Sequence, residues 1–247
     1  MNIVLTGANG FLGRAVVPVL GKEHTLRLVD VVPFESPHEV MVADVAELDA
    51  ARRMVEGMDA VVLCHMASRQ AGAYDTPELP FDVNVKGTAH VLSAAVAEGV
   101  QRVVLVSSVA AVNGHPEDRY RSRDLPPRGN DLYSLTKALQ EQIVGHYHRL
   151  HEVPTAVLRP AWVVDADNLK TKYETDVSHF DTGLIDRRDI GEAIRLCCEL
   201  PDLDHEVLYL AGPGEADEEM DVPYTRRRLD WEPTYRFTEL GRREKKN

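Results

Sequence analysis

The sequence is poor in cysteine and has no excess of positive charge. Only three of its 247 residues are cysteines, Cys64, Cys197 and Cys198. Because the number is odd and the spacing does not suit metal ligation, we expect buried free thiols rather than disulfides or a zinc site. The 40 acidic residues outnumber the 28 lysines and arginines. The resulting net charge of -12 argues against nucleic-acid or membrane-surface binding as the main task.

The chain also lacks a long apolar run and a signal peptide. No apolar segment approaches the roughly 20 residues that a transmembrane helix needs. Its first residues form a short apolar run that we assign to a buried strand of the fold, so we expect a cytoplasmic protein without a cleaved leader. With 44% apolar residues over 247 positions, the chain is long enough for one full α/β domain and a small appendage.

Short apolar segments alternate with helical patterns along the chain. The apolar segments lack strict polar alternation, which is typical of parallel strands covered on both faces. We therefore predict an α/β fold, a Rossmann-type doubly wound parallel sheet with a small C-terminal substrate lobe. The predicted strands are 2–6, 26–30, 40–43, 60–65, 102–107, 155–158 and 207–210, and the main predicted helices are 11–20, 79–98 and 131–150.

The predicted elements suggest a division of the chain into three parts. Residues 1–160 are expected to form the cofactor-binding domain, which also carries the catalytic residues. Residues 161–240 are expected to form the substrate-binding lobe, although the helix and strand within 189–210 return to the main sheet. The charged segment 241–247 is expected to be a flexible tail.

A glycine-spaced turn follows the first predicted strand. Residues 6–13, TGANGFLG, lead from this strand into a helix, which is typical of dinucleotide binding. Gly7 permits the tight turn, Gly10 lets the backbone approach a pyrophosphate, and Gly13 lets the helix lie close to the strand. The phosphates would bind at the helix N-terminus. The alternative is a tight turn without a ligand.

Asp30 stands at the end of the second predicted strand. Its carboxylate can accept hydrogen bonds from both hydroxyls of an adenosine ribose, and it would repel a 2′-phosphate. The sequence therefore favours NAD over NADP as the cofactor.

Tyr133 and Lys137 lie one helical turn apart. Four residues rotate a helix by roughly 400°, so both side chains leave nearly the same face. A free tyrosine, with a pKa of about 10, is a poor base at neutral pH, but a nearby lysine charge favours the phenolate. Such pairs also arise by chance on solvated helices. Both residues lie off the apolar stripe that we expect this helix to bury, which consists of Leu132, Leu135, Leu139, Ile143, Tyr147 and Leu150.

Seven short segments occur in the order expected for one known enzyme family. They are residues 6–13 (TGANGFLG), 43–45 (ADV), 64–67 (CHMA), 84–88 (NVKGT), 106–108 (VSS), 133–137 (YSLTK) and 158–160 (LRP). With them, the chain resembles an extended short-chain dehydrogenase/reductase of the NAD-dependent epimerase/dehydratase family. The resemblance covers nearly the whole sequence. It implies an enzyme whose hydride chemistry belongs to bound NAD.

The resemblance also implies roles for individual residues. Ser108 would hydrogen-bond the substrate oxygen, and Tyr133 would exchange the proton. Lys137 would bind the nicotinamide ribose and favour the phenolate. Ser107 competes with Ser108, although an alternating strand turns it to the other side. The residues implied to contact the cofactor are Gly7, Asn9, Gly10, Phe11, Leu12, Asp30, Asp44, Val45, Cys64, His65, Met66, Ala67, Ser107, Tyr133, Lys137 and Pro160.

Three residues in these motifs also have structural interpretations. Asp44 can act as a helix cap for the residues that follow it. His65 can contribute only its backbone at a strand end, so we leave it out of the chemistry. Asn84 can brace backbone near the active site instead of contacting a ligand.

The chain departs from the family pattern where the substrate would bind. Only about 26 residues separate Pro160 from the segment 186–189, which leaves little wall for a nucleotide diphosphate. In this respect the chain resembles the uronate dehydrogenase branch, which oxidises free sugar acids. However, Lys170 stands where that branch offers an arginine, and a lysine cannot make the same bidentate contact. The candidate substrate residues are Ser68, Arg69, Ser108, Arg159 and Lys170, with Lys172 as a further cation; each cation also has an ordinary surface interpretation.

Taken with the resemblance, these features predict an NAD-dependent oxidoreductase that acts on a hydroxyl or carbonyl carbon of a sugar, a sugar acid or a similar small substrate. No metal is expected. One alternative is a nucleotide-sugar epimerase/dehydratase that keeps NAD bound, and another is a redox sensor without turnover. The resemblance further implies a homodimer formed through helices 79–98 and 131–150. The alternative is that the apolar residues of these helices only cover the sheet.

Overall fold

The computed structural model describes residues 1–67, 73–178, 183–212, 215–237 and 240. Ten strands lie in these ranges: β1 (Asn2–Thr6), β2 (Thr25–Asp30), β3 (Glu39–Val42), β4 (Ala60–Leu63), β5 (Arg102–Val106), β6 (Thr155–Pro160), β7 (Trp162–Asp165), β8 (Lys170–Thr171), β9 (Leu184–Asp186) and β10 (His205–Leu210). The α-helices are α1 (Gly13–Leu20), α2 (Leu48–Val55), α3 (Glu78–Pro80), α4 (Gly87–Ala97), α5 (Leu132–His151), α6 (Arg187–Glu199) and α7 (Val222–Leu229).

A seven-stranded sheet in the order β10-β6-β5-β4-β1-β2-β3 forms the centre of the fold. All of its strand pairs are parallel. Two apolar clusters pack on the sheet, and they draw alternate residues from the same strands. The predicted doubly wound α/β fold is therefore confirmed. Strand order reverses between β1 and β4, and ligands of such folds bind beyond the carboxyl ends of the strands at this point.

A second, smaller sheet follows β6. It contains three strands in the order β8-β7-β9, and a small apolar cluster lies against it. After β9 the chain enters α6 and then β10, which pairs with β6 along its whole length. The buried residues of α6 belong to the cluster that covers the large sheet. Helix α6 and β10 therefore pack on, or pair with, the main sheet.

Two predicted elements differ from those of the structure. The region expected to be one helix over 79–98 is divided into α3, a π-helix over Phe81–Lys86 and α4. The strand expected to reach His65 ends at Leu63. In both places the chain carries polar residues that bond to other elements instead of continuing a regular ladder, as described below.

The burial of α5 contradicts the predicted apolar stripe. Leu135 is 41% exposed and Leu150 is 61% exposed. The buried face instead carries Ser134, Thr136, Lys137, Ala138, Gln140, Glu141, Val144 and Gly145. The helix begins with a capping box, in which Asp131 accepts from the Ser134 backbone N–H at 2.7 Å and Ser134 Oγ accepts from the Asp131 N–H at 2.9 Å. The sheet therefore meets a mainly polar face of this helix.

The three cysteines are free, as predicted. Cys197 and Cys198 are buried in α6, and Cys64 is partly buried just after β4. Burial raises the pKa of both Cys64 and Cys198 to about 12, so these thiols stay protonated at neutral pH.

Among the described residues, none of the helices combines the length and the apolar character required to cross a bilayer. The same ranges contain no cluster of three or more His, Cys, Asp or Glu residues that could hold a metal ion.

Candidate active site

The turn between β1 and α1 leaves no room for side chains at two of its glycines. Gly7 has a φ of 69°, and a Cβ there would lie 2.8 Å from the His65 backbone. A Cβ on Gly13 would lie 2.3 Å from the Gly7 carbonyl oxygen. Gly10 is exposed and its N–H donates to the same oxygen at 3.1 Å. This tight, open turn at the start of a helix suits a dinucleotide pyrophosphate.

Asp30 lies beside this turn at the end of β2. Its carboxylate accepts from the Asn9 N–H at 3.0 Å and from the Val32 N–H at 3.1 Å. Arg14 in turn donates to the Asn9 side-chain oxygen at 2.8 Å. The acid is therefore held at the carboxyl edge of the sheet, where the resemblance requires a partner for the adenosine ribose.

Asp44 and Val45 follow β3. The Asp44 carboxylate accepts from the Ala46 N–H at 2.8 Å, while the N-cap residue of α2 is Glu47. Asp44 therefore orders a local turn and is not the helix cap. Val45 packs on Gly87, where an added Cβ would come within 2.6 Å of a Val45 methyl group.

His65 belongs to a buried polar network beyond β4. Its Nδ1 lies 2.8 Å from Thr6 Oγ1 and its Nε2 lies 3.2 Å from Thr88 Oγ1. Gln140 of α5 extends the network by donating to Thr88 Oγ1 at 2.8 Å. Burial, with a smaller effect from the charge of Lys137, lowers the pKa of His65 to about 3. The imidazole is therefore neutral at physiological pH and bonded to threonine hydroxyls, which agrees with its omission from the proton chemistry.

Asn84 braces the backbone that follows this network. Its side-chain oxygen accepts from the Ala67 N–H at 2.7 Å, and its amide donates to Thr136 Oγ1 at 2.9 Å and to the Tyr74 hydroxyl at 3.2 Å. The residue lies in the π-helix Phe81–Lys86, and such insertions are frequent at functional sites. These contacts correspond to the bracing interpretation of Asn84.

The two serines after β5 make different contacts. Ser107 is buried and its hydroxyl donates to Glu141 Oε1 at 2.5 Å. Ser108 is partly exposed, and its hydroxyl accepts from the Ala110 N–H at 3.1 Å at the start of a 3₁₀-helix, Val109–Val112. Only Ser108 therefore presents its hydroxyl on the accessible side of the strand end.

Tyr133 and Lys137 approach the same strand end from α5. Lys137 is 3% exposed, and its Nζ donates to the Val106 carbonyl at 2.9 Å. The Tyr133 ring is partly exposed and meets the edge of Tyr74 with centroids 5.7 Å apart. Lys172 Nζ lies 5.2 Å from the Tyr133 ring centroid. Helix α5 thus brings the buried ammonium to the end of β5, just before Ser108, and Tyr133 precedes this lysine by one helical turn.

Arg159, a candidate substrate cation with an alternative surface interpretation, is instead buried in the core. Arg159 is 1% exposed. Its Nε and Nη2 donate to the two carboxylate oxygens of Glu141 at 3.0 and 2.7 Å. Its Nη1 donates to the Tyr209 hydroxyl at 2.7 Å, and both terminal nitrogens lie 3.2 Å from the Leu125 carbonyl. The guanidinium makes its hydrogen bonds inside the core, because the side chains of β6 are covered on both faces of the sheet.

Lys170 is less enclosed than Arg159. Lys170 lies at the start of β8, with its side chain 39% exposed and its Nζ 3.4 Å from a Glu174 carboxylate oxygen. Ser68 and Arg69 lie outside the described residues. Pro160 is buried at the end of β6.

Sequence reasoning missed three polar residues of α5 that support this site. Thr136, Gln140 and Glu141 are buried beside Lys137 and bond to Asn84, Thr88 and Ser107, respectively. Gln140 and Glu141 follow Lys137 by three and four residues and so share its helix face, and Thr136 lies four residues before Gln140. That polar face is visible in the sequence, but the regular leucine stripe on the other side is the pattern more typical of a buried helix face.

Comparison with known proteins places this site in a family. The profile of the NAD dependent epimerase/dehydratase family matches residues 3–203. The NAD-dependent glucose-6-phosphate dehydrogenase of Haloferax volcanii is 29% identical over 232 residues, which cover 84% of this chain and 83% of that protein. The uronate dehydrogenase of Pseudomonas syringae pv. tomato is 29% identical over 216 residues, which cover 84% of this chain and 73% of that protein.

A solved structure shows the same fold. The crystal structure of uronate dehydrogenase from Agrobacterium tumefaciens has a TM-score of 0.79 and 24% identity, and the match covers 95% of this chain and 84% of that one. Because the family profile spans most of the chain, the assignment does not depend on this likeness. The protein is an NAD-dependent enzyme and belongs to the NAD dependent epimerase/dehydratase family.

Proposed function

We propose that this protein is a dehydrogenase that oxidises a hydroxyl group of a small anionic sugar, with NAD as the hydride acceptor. The observation that carries the proposal is the position of Lys137, one helical turn after Tyr133, at the strand end that leads to Ser108. Lys137 is anchored there by its 2.9 Å bond to the Val106 carbonyl. The strand ends of β1 and β4, where the glycine turn and His65 lie, are adjacent.

In the proposed mechanism the turn and Asp30 hold the dinucleotide. The backbone of residues 7–13 would bind the pyrophosphate, and the Asp30 carboxylate would accept from the adenosine ribose hydroxyls. Asp44, Val45 and the segment 64–67 would lie along the adenosine and ribose. Bound NAD supplies the site that accepts the hydride.

The remaining residues would handle the proton of the substrate hydroxyl. Ser108 would donate a hydrogen bond to the substrate oxygen, and Tyr133 would remove the hydroxyl proton. The ammonium of Lys137 would favour the phenolate electrostatically and would bind the nicotinamide ribose. His65 takes no part in this transfer, because its ring is neutral and bonded to two threonines.

The charge of the substrate is proposed from the cations near Tyr133. Lys172 Nζ lies 5.2 Å from the centre of the Tyr133 ring, and Lys170 precedes it by two residues on β8. We therefore assign the lobe 161–240, apart from the helix and strand within 189–210, to substrate binding. The names of the two relatives, glucose-6-phosphate dehydrogenase and uronate dehydrogenase, refer to sugars that carry a phosphate and a carboxylate, respectively. Both groups are of the kind that a lysine pair would attract.

A substrate panel tests this proposal. Free sugars, sugar phosphates, uronates, aldonates and UDP- or GDP-sugars should be incubated with NAD, and scored for NADH and by NMR of the products. We expect stoichiometric NADH from a sugar acid or a sugar phosphate.

The cofactor preference is a separate prediction. Because Asp30 would oppose a 2′-phosphate, calorimetric titration should show that NAD binds at least tenfold more tightly than NADP, a difference of about 1.4 kcal/mol or more.

The substrate panel and the cofactor titration each have outcomes that would contradict the proposal. Interconversion of a nucleotide sugar without release of NADH would establish the epimerase instead. If the protein binds NAD tightly but turns over none of the substrates, that result would support a redox sensor. Equal affinities for NAD and NADP would remove the proposed role of Asp30.

We further propose that the chain is a homodimer that pairs through α4 and α5. The support is the outer face of α5, where Leu135 and Leu150 are 41% and 61% exposed. Leu132, Leu139, Ile143 and Tyr147 of the same stripe are only partly buried. An apolar stripe of this kind is typical of a helix that packs on a partner. Light scattering at micromolar concentration should give twice the chain mass of 27.6 kDa, and a monomer mass would contradict the proposal.

A further inference from the structure

Arg187 connects the C-terminal part of the chain to the glycine turn. It is the first residue of α6, far from the turn in sequence. Its Nη1 donates to the Phe11 carbonyl at 3.3 Å, and its Cζ lies 4.9 Å from the centre of the Phe11 ring. Phe11 stands two residues before α1 begins, so this guanidinium lies against the turn between β1 and α1.

A buried acid holds Arg187 in this position. Its Nη2 forms an ion pair with an Asp165 carboxylate oxygen, and the Asp165 side chain is 6% exposed. The other Asp165 oxygen accepts from the Asp167 N–H at 3.0 Å. The aromatic ring and the carboxylate together restrict the arginine before a ligand binds, which lowers the entropy cost of using it as a ligand.

The hydrogen bonding of Arg187 is incomplete within the described residues. Its Nε is buried and has no partner among them, while its side chain as a whole is 24% exposed. Its neighbour Arg188 differs, because it pairs with both Asp186 and Asp167 and stacks on Tyr235 at 3.8 Å. Arg187 therefore retains donor capacity and access at the edge of the turn.

We propose that Arg187 binds the pyrophosphate of the dinucleotide, so that the segment following β9 completes the cofactor site. This inference rests on the proposed binding of NAD at the glycine turn. A pyrophosphate carries two negative charges, and the Asp30 carboxylate beside the turn cannot neutralise them. A guanidinium is suited to phosphate oxygens because it is always charged and presents several donors in one plane.

The test compares ADP with adenosine, which differ only in the two phosphates, and adds NAD, which also carries the nicotinamide ribose. NAD, ADP and adenosine should be titrated calorimetrically into the wild type and into Arg187→Met, Arg187→Lys and the matched control Arg188→Met. We expect Arg187→Met to weaken NAD and ADP binding about tenfold, whereas adenosine changes less than twofold. The affinities of Arg187→Lys for NAD and ADP should lie between those of the wild type and those of Arg187→Met. Arg188→Met should bind all three ligands as the wild type does. The affinity of the wild type for ADP should also fall more steeply with salt than that of Arg187→Met.

The design separates this inference from a loss of folding. Arg187→Met leaves Asp165 buried without its partner, so the double variant Asp165→Asn/Arg187→Met should be titrated as well, with melting temperatures for all variants. We expect it to show the same selective loss of ADP binding. An equal loss for adenosine and ADP would mean that the arginine only shapes the turn, and would overturn the inference.

The remaining outcomes distinguish the two proposals. If the wild type binds NAD but Arg187→Met binds ADP equally well, the role of Arg187 is refuted while the proposed dehydrogenase stands. If the wild type binds neither NAD nor ADP, the proposed cofactor site itself is refuted.

Discussion

Replacing Tyr133 with phenylalanine is expected to lower kcat by about 10² or more, the usual contribution of a positioned acid or base. The change removes one hydroxyl from a partly exposed ring and keeps the edge contact with Tyr74, whose centroid is 5.7 Å away. The fold and the NAD affinity should therefore change little. The measurements are steady-state kcat on the best substrate of the panel, the calorimetric Kd for NAD and the melting temperature.

Tyr147 offers a matched control on the same helix. Its hydroxyl makes one long contact, 3.5 Å from the Ala89 carbonyl, and it lies several turns from the proposed site. Tyr147→Phe should keep kcat within about twofold of the wild type, because it removes no group that contacts the substrate. Near-normal activity of Tyr133→Phe would refute the proton-transfer role and leave Ser108 and Lys137 without a partner for the chemistry.

Replacing Glu141 with glutamine is expected to lower the free energy of unfolding by about 3–5 kcal/mol, because it leaves the guanidinium of Arg159 buried without a counter-charge. The Glu141 and Arg159 side chains are 4% and 1% exposed, and they are joined by two hydrogen bonds. Burial of Arg159 opposes its charge, whereas the hydrogen bond and the charge of Glu141 raise its pKa. The guanidinium therefore stays charged and cannot relieve the loss by releasing its proton. Urea denaturation gives the free energy directly.

Two further variants make this prediction specific. Glu192 forms an ion pair with Arg195 on the surface of α6, with side chains 42% and 20% exposed, so Glu192→Gln should cost less than about 1 kcal/mol. The double variant Glu141→Leu/Arg159→Met removes both buried charges and should be at least as stable as Glu141→Gln. A loss for Glu141→Gln as small as that for Glu192→Gln would show that the core pair does not matter for stability.

The Glu141 cluster also explains how the proposed site is held. Helix α5 contacts the end of β5 at two successive residues, through Lys137 to the Val106 carbonyl and through Glu141 to the Ser107 hydroxyl. Ser108 follows directly. The strand end and the helix that carry the three proposed catalytic residues are thus joined by buried bonds, and small shifts between them should be costly.

The sequence by itself determined the features that depend on neighbouring residues. Gly7 and Gly13 predict the tight turn because the backbone there excludes a Cβ, and the spacing of Tyr133 and Lys137 predicts a shared helix face because a helix repeats every 3.6 residues. The strand segments were evident from short apolar runs, and their alternation with helices predicted the doubly wound sheet. Each of these signals is local, and the structure contains the corresponding elements at nearly the same residues.

Tertiary structure alone decided which surfaces these elements bury. Helix α5 has a leucine stripe and a polar face. The polar face is buried because Lys137 and Glu141 bond to Val106 and Ser107 at the end of β5. Arg159 lies in the core because a glutamate on α5 meets it there, a contact that no local pattern encodes. Arg187 reaches Phe11 only after the chain has passed through β6, the small sheet and β9. Such pairings depend on residues distant in sequence, whose charges and hydrogen bonds offset the cost of burial only when both partners are in place.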